Sequence, residues 1–106
     1  MSTSRLTALL EFLKEDPNDA FTLYALATEY RKEDRSRALF YYEKLLTEHP
    51  LYVATYYHAA LLYVDMEQPA LAEQTFRKGI AVAQEQQDAL ALRELQNAYN
   101  EFLFEE

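Results

Sequence analysis

A chain of 106 residues, half of them apolar and with nine Tyr and six Phe, is long enough to bury one core and far too hydrophobic to stay disordered. Its formal net charge of −8 repels polyanions at long range, so neither nucleic acid nor a membrane surface is expected as a partner. With no Cys, disulfides, thiolate nucleophiles and Cys-based metal sites are excluded, and a reducing, cytoplasmic setting is expected. One Gly and three Pro leave few places for tight turns and point to an all-α class.

The N-terminal run Met1, Ser2, Thr3, Ser4, Arg5 is polar and leads into an amphipathic segment, so no signal peptide or membrane span is expected. Residues 4–15 carry Leu6, Leu9, Leu10 and Leu13 at the i, i+3, i+4, i+7 spacing of a helix with one apolar stripe. Pro17 forces Asp16 out of the helical region, and Asn18 or Asp19 can cap the next helix. That second helix, over 19–33, places Leu23, Leu26, Ala27 and Tyr30 on one face. Asp34 then caps a third over 35–48, whose core side is Ala38, Leu39, Tyr42, Leu45 and Leu46, and Pro50 closes the unit.

The design then recurs. Tyr56, Ala59, Ala60 and Tyr63 stand 33 residues after Leu23, Leu26, Ala27 and Tyr30, while Ala72 and Phe76 stand 34 after Ala38 and Tyr42. This predicts helices over 52–66 and 69–84, the latter starting on Pro69, whose missing amide costs nothing in a first turn. Leu9 lies eight residues before Pro17, as Tyr42 does before Pro50, so the first helix reads as the second half of a hairpin. A last helix over 89–103, with Leu92, Leu95, Tyr99 and Phe102 on one face, reads as a cap with a polar outer side.

A period near 34 residues, built from two helices with a small-residue pair, a tyrosine and then Ala-x3-aromatic, resembles the tetratricopeptide repeat (TPR), in the form of a small bacterial-type two-repeat module. The departures are the halved first repeat, Gln84 in place of a closing proline and Gly79 where alanine is usual. The resemblance implies a right-handed α-solenoid of about six antiparallel helices in a single domain, 1–106: a half-repeat helix at 4–15, repeats at 19–50 and 52–86, and a capping helix at 88–104. It also implies a non-enzymatic protein–protein interaction module, because the first helix of each TPR pair lines a concave groove for a peptide or partner helix. By matched position that groove holds Tyr24, Thr28 and Arg31, then Tyr57, His58 and Leu61, with Asp65 beyond them. Periodicity yields the same stripe: once Leu23, Leu26, Ala27 and Tyr30 face the core, Tyr24, Thr28 and Arg31 share another face. The alternative for Tyr24 and Tyr57 is packing on neighbouring helices with only their hydroxyls at the surface.

Chaperone-binding TPR proteins hold a C-terminal Asp/Glu motif with Lys, Asn and Arg. Here Tyr24 stands in the place of the lysine, Thr28 and His58 in the places of asparagines. That dicarboxylate clamp is therefore absent, and an extended apolar peptide or an amphipathic helix suits the stripe better. Five bases fall between Arg31 and Lys44 against three acids, while from Gly79 onward six acids face one base, a pattern open to steering, head-to-tail stacking or simple solvated faces. A competing role is a homodimer through Phe21, Tyr52, Leu62, Val64 and Phe104. His49 and His58 lack neighbouring ligands, so no metal or cofactor is expected. No G-x-S-x-G, glycine-rich phosphate loop or H-E-x-x-H occurs, and Arg93, Glu94 and Tyr99 read as a solvated face rather than an acid/base group.

Overall fold

Asp, Pro and a pair of left-handed residues set the helix ends in the computed structural model, which describes residues 2–105. The helices are α1 (Ser2–Glu15), α2 (Ala20–Tyr30), α3 (Arg35–Glu48), α4 (Ala54–Asp65), α5 (Pro69–Gln86) and α6 (Ala89–Glu105), with no strand among the described residues. Asp19 caps α2 by accepting from the Thr22 amide at 3.0 Å and the Thr22 hydroxyl at 2.7 Å. Asp34 caps α3 through the Arg37 amide, and Asp88 caps α6 through that of Ala91.

Several boundaries shift by one to three residues from the periodicity, and two of the shifts have a visible cause. α2 ends at Tyr30 rather than 33, because Asp34 must be extended (φ −144°, ψ 86°) to cap α3, and residues 31–33 turn to meet it. α5 runs on to Gln86, since no proline interrupts it at 84.

The chain divides into two compact units, Met1–Tyr52 and Val53–Glu106. In the first, α2 packs against both α1 and α3; short connections make the neighbours antiparallel. Leu9, Leu23, Ala25, Leu26, Ala27, Ala38, Tyr42 and Leu45 are buried there. In the second unit α4, α5 and α6 all touch one another, around Tyr56, Ala59, Ala60, Tyr63, Phe76, Leu95 and Phe102. Helix α4 contacts both α5 and α6, and its Leu62 is completely buried. Leu62 is thus a core residue and no part of an exposed dimer face. Phe21, Val64 and Phe104 are exposed, Phe104 at 92%, while Tyr52 is half-buried.

Gly79 is where α5 comes closest to α4. A Cβ on it would lie 2.5 Å from Tyr56 Cβ and 2.9 Å from Tyr56 Cγ, with Leu95 Cδ1 of α6 at 3.3 Å. Tyr56 Cβ is fixed to the α4 backbone, so no rotamer change relieves the clash. In contrast, Glu67 (φ 59°) and Gln87 (φ 57°) occupy the left-handed conformation that glycine adopts without penalty. Each closes a Schellman turn: Gln68 N–H donates to the Tyr63 carbonyl and Glu67 N–H to that of Val64, with Asp88 to Ala83 and Gln87 to Gln84 as the second case.

Two substitutions of opposite sign follow. Gly79→Ala gains about 1 kcal/mol of helix propensity but overpacks the α4–α5 contact, so a net loss of about 1–3 kcal/mol is expected. Gln87→Gly relieves a left-handed side chain and is expected to stabilise by about 0.5–1 kcal/mol. Urea midpoints at unchanged slope measure both.

Candidate functional site

Tyr24, Thr28 and Arg31 belong to the first unit, on α2 and its C-terminal cap, and all three are half-buried. Tyr24 and Thr28 are one turn apart and joined directly: the Thr28 hydroxyl donates to the Tyr24 carbonyl at 2.9 Å. It also lies 3.5 Å from the hydroxyl of buried Tyr42, tying the outer stripe to the core. Arg31 N–H donates to the Ala27 carbonyl as the helix closes.

The Tyr24 ring leans on Tyr52, with centroids 5.7 Å apart and planes tilted by 58°. Burial, and secondarily the nearby Asp19 carboxylate, pushes the Tyr52 phenol above its ordinary pKa. Tyr52 therefore belongs beside Tyr24, a placement that sequence periodicity missed because it precedes α4 and follows no helical spacing. Around the same loop pair, His49 Nε2 donates to the Asn18 carbonyl at 2.9 Å and links the α1–α2 and α3–α4 connections.

Tyr57, His58 and Leu61 lie on α4 in the second unit and are likewise half-buried. The Tyr57 and His58 rings meet edge to face, 5.2 Å apart at 88°. On α2 and α4 alike, the stripe offers aromatic surface with one or two polar groups, a mixture suited to apolar segments that carry a few hydrogen-bonding atoms.

The first unit also has a solvent-open pocket of about 300 Å³ lined by Leu6, Glu29, Tyr30, Lys32, Glu33, Asp34 and Arg37, away from the Tyr24 stripe. Its polar groups largely satisfy one another: Arg5 pairs with Glu29 at 2.8 Å, and Arg37 sits over the Tyr30 ring while pairing with Asp34. Among the described residues no group of three His, Cys, Asp or Glu could hold a metal ion, and no helix is long and apolar enough to cross a membrane.

These features define an α-helical hairpin-repeat protein. Two structures of a tetratricopeptide repeat domain protein from Salinibacter ruber are similar to it. The solution structure is 44% identical, with 82% of this chain and 89% of that chain covered and a TM-score of 0.77. The crystal structure is 42% identical over 83% of this chain and all of that chain, with a TM-score of 0.80. The chain therefore belongs to the tetratricopeptide repeat family. At the level of fold alone, the TPR2B domain of yeast Sti1, solved as a complex with pHsp70, matches 99% of this chain and 85% of that one at 20% identity, TM-score 0.89. No family model matches the chain, and no curated protein does.

The caps yield a pH prediction. Hydrogen bonds from the Thr22 hydroxyl and amide hold the Asp19 carboxyl below its ordinary pKa, with His49 adding a smaller pull. A depressed folded pKa supplies stability that is present above the ordinary carboxylate range and lost as pH falls through the folded value. Asp19→Asn keeps the cap but does not titrate. Its melting temperature is expected to match the wild type near neutrality and to fall less steeply on acidification below about pH 4, measured by circular dichroism.

Proposed function

We propose that the chain is a non-enzymatic protein-interaction module whose contact surfaces are the stripe of Tyr24, Thr28 and Arg31 on α2 and that of Tyr57, His58 and Leu61 on α4. The observation that carries this reading is the pairing of half-buried rings with few polar groups on both first helices, Tyr24 against Tyr52 and Tyr57 against His58. Such side chains bury large area on contact and lose little rotamer freedom. The yeast Sti1 domain, captured as a complex with pHsp70, supports protein or peptide binding by this fold. A dicarboxylate-ended tail is disfavoured as the ligand, since Tyr24, Thr28 and His58 replace the clamp residues. An apolar extended segment or an amphipathic helix is the favoured class.

A photo-crosslinking side chain at Tyr24 or Tyr57, used in native lysate, should capture a discrete set of proteins. Tyr24→Ala/Tyr57→Ala, with the crosslinker moved to Leu61, should lose that set by at least about tenfold, a loss of roughly 1.4 kcal/mol. Capture unchanged by the double substitution would locate the binding surface elsewhere.

A further inference from the structure

Two connections in the first unit have the same form. Asp16-Pro17-Asn18-Asp19 and His49-Pro50-Leu51-Tyr52 stand 33 residues apart, each with proline in second place. In each the fourth amide donates to the first carbonyl, at 3.2 Å and 3.0 Å, and the proline fixes φ where such a turn needs it. His49 joins the two turns: its Nε2 faces the Asn18 carbonyl at 2.9 Å and Asn18 Oδ1 at 3.3 Å. Both are acceptors, so Nε2 carries a hydrogen and donates. The His49 amide donates to the Leu45 carbonyl at 2.7 Å, and the His49 carbonyl accepts from the Tyr52 amide. One residue thus connects α3, the α1–α2 connection and the backbone of Tyr52.

The equivalence of the turns singles out Tyr52. The fourth position of the first turn is Asp19, whose carboxylate caps α2. The same position in the second turn is Tyr52, and α4 begins after Val53 without a side-chain cap. A short polar side chain is the ordinary choice at such a place. Here the chain forgoes the cap and supplies a ring, a departure from local preference of the kind found at functional positions. That ring is half-buried and leans on Tyr24 at 5.7 Å, beside the α2 stripe.

We propose that Tyr52 is a contact residue for the partner's apolar segment and that His49 is the residue that positions it. The proposal rests on the reading of Tyr24, Thr28 and Arg31 as a contact surface, and extends that surface from one helix face to the adjoining turn. Tyr52 adds a second ring at 58° to that of Tyr24, aromatic area at an angle that helical spacing along α2 does not supply. A loop residue serves recognition when a rigid scaffold holds it. The scaffold here is Pro50 inside the turn and the His49 bond across to Asn18. The Tyr52 phenol, pushed up first by burial and then by the Asp19 carboxylate, reports on whether the ring is seated.

The test reads the seating of Tyr52 by NMR on the full chain and its contact by crosslinking. His49→Leu removes the donor, while His49→Gln keeps a side-chain N–H for the Asn18 carbonyl. In His49→Leu, with helicity by circular dichroism unchanged, the NOEs between the Tyr24 and Tyr52 rings should disappear and the Tyr52 phenol should titrate closer to an ordinary tyrosine. His49→Gln should retain both. A photo-crosslinking aromatic residue at position 52, in native lysate, should capture the same proteins as one at position 24. His49→Leu should lower the capture at 52 at least about fivefold, the scale of one lost hydrogen bond, and His49→Gln should restore it. Ring NOEs or capture unchanged in His49→Leu would overturn the positioning role. Capture at 24 but not at 52 would overturn the contact role of Tyr52 and leave the α2 stripe standing, whereas capture at neither would remove the stripe and the proposal with it. If His49→Leu loses helicity, His49→Ser takes its place in every arm.

Discussion

Helix axes approach closely only where one of the facing side chains is small, and that constraint organises this chain. Ala27, Ala38, Ala60 and Ala72 are completely buried, and Gly79 leaves no room for even a methyl group beside Tyr56. Around these small positions the large residues Leu23, Tyr42, Tyr56 and Phe76 fill the space to interior density. The consequence is visible in where glycine is used. The one glycine sits inside α5, where it costs about 1 kcal/mol of helix propensity, while α4 and α5 end in left-handed turns at Glu67 and Gln87 without one. At Gly79 packing at the crossing outweighs backbone preference.

The same constraint explains how tyrosine is used, since every Tyr is buried or half-buried. A Tyr ring can fill a gap between helices while its hydroxyl finds a polar partner at the rim. Tyr99 donates to Glu73 at 3.1 Å, Tyr30 accepts from Arg37 at 3.5 Å, and the Tyr42 hydroxyl lies 3.5 Å from that of Thr28. Burial pushes the phenols of Tyr41, Tyr52 and Tyr56 above their ordinary pKa, so these rings stay neutral well past physiological pH.

Helix number, the Asp34 and Pro69 starts and most of the core were legible in the sequence, because apolar spacing and capping residues act over one or two turns. Leu62 was not. It is completely buried although it lies off the apolar stripe of α4, and the periodicity of one helix carries no information about what packs on its other faces. The end of α2 was misplaced for a related reason: residues 31–33 have helical propensity, and only the competing demand of Asp34 as a cap turns them out of the helix. Gly79 stood out as a departure from the repeat pattern, but its cause, a tyrosine Cβ at 2.5 Å, exists only in three dimensions. At the candidate stripes, which residues face away from the core followed from spacing; that Tyr24 leans on Tyr52 did not, since Tyr52 lies in a connection.

The likeness to the yeast domain at 20% identity shows how little of the sequence the fold itself requires. A fold that persists through replacement of four residues in five is held by its spacing of small and large core positions, so the off-core residues are free to change chemistry without loss to the scaffold. In this chain one of those choices is already committed internally: the Thr28 hydroxyl donates its hydrogen to the Tyr24 carbonyl. The oxygen keeps acceptor capacity, but donation outward would break this bond to the carbonyl one turn back.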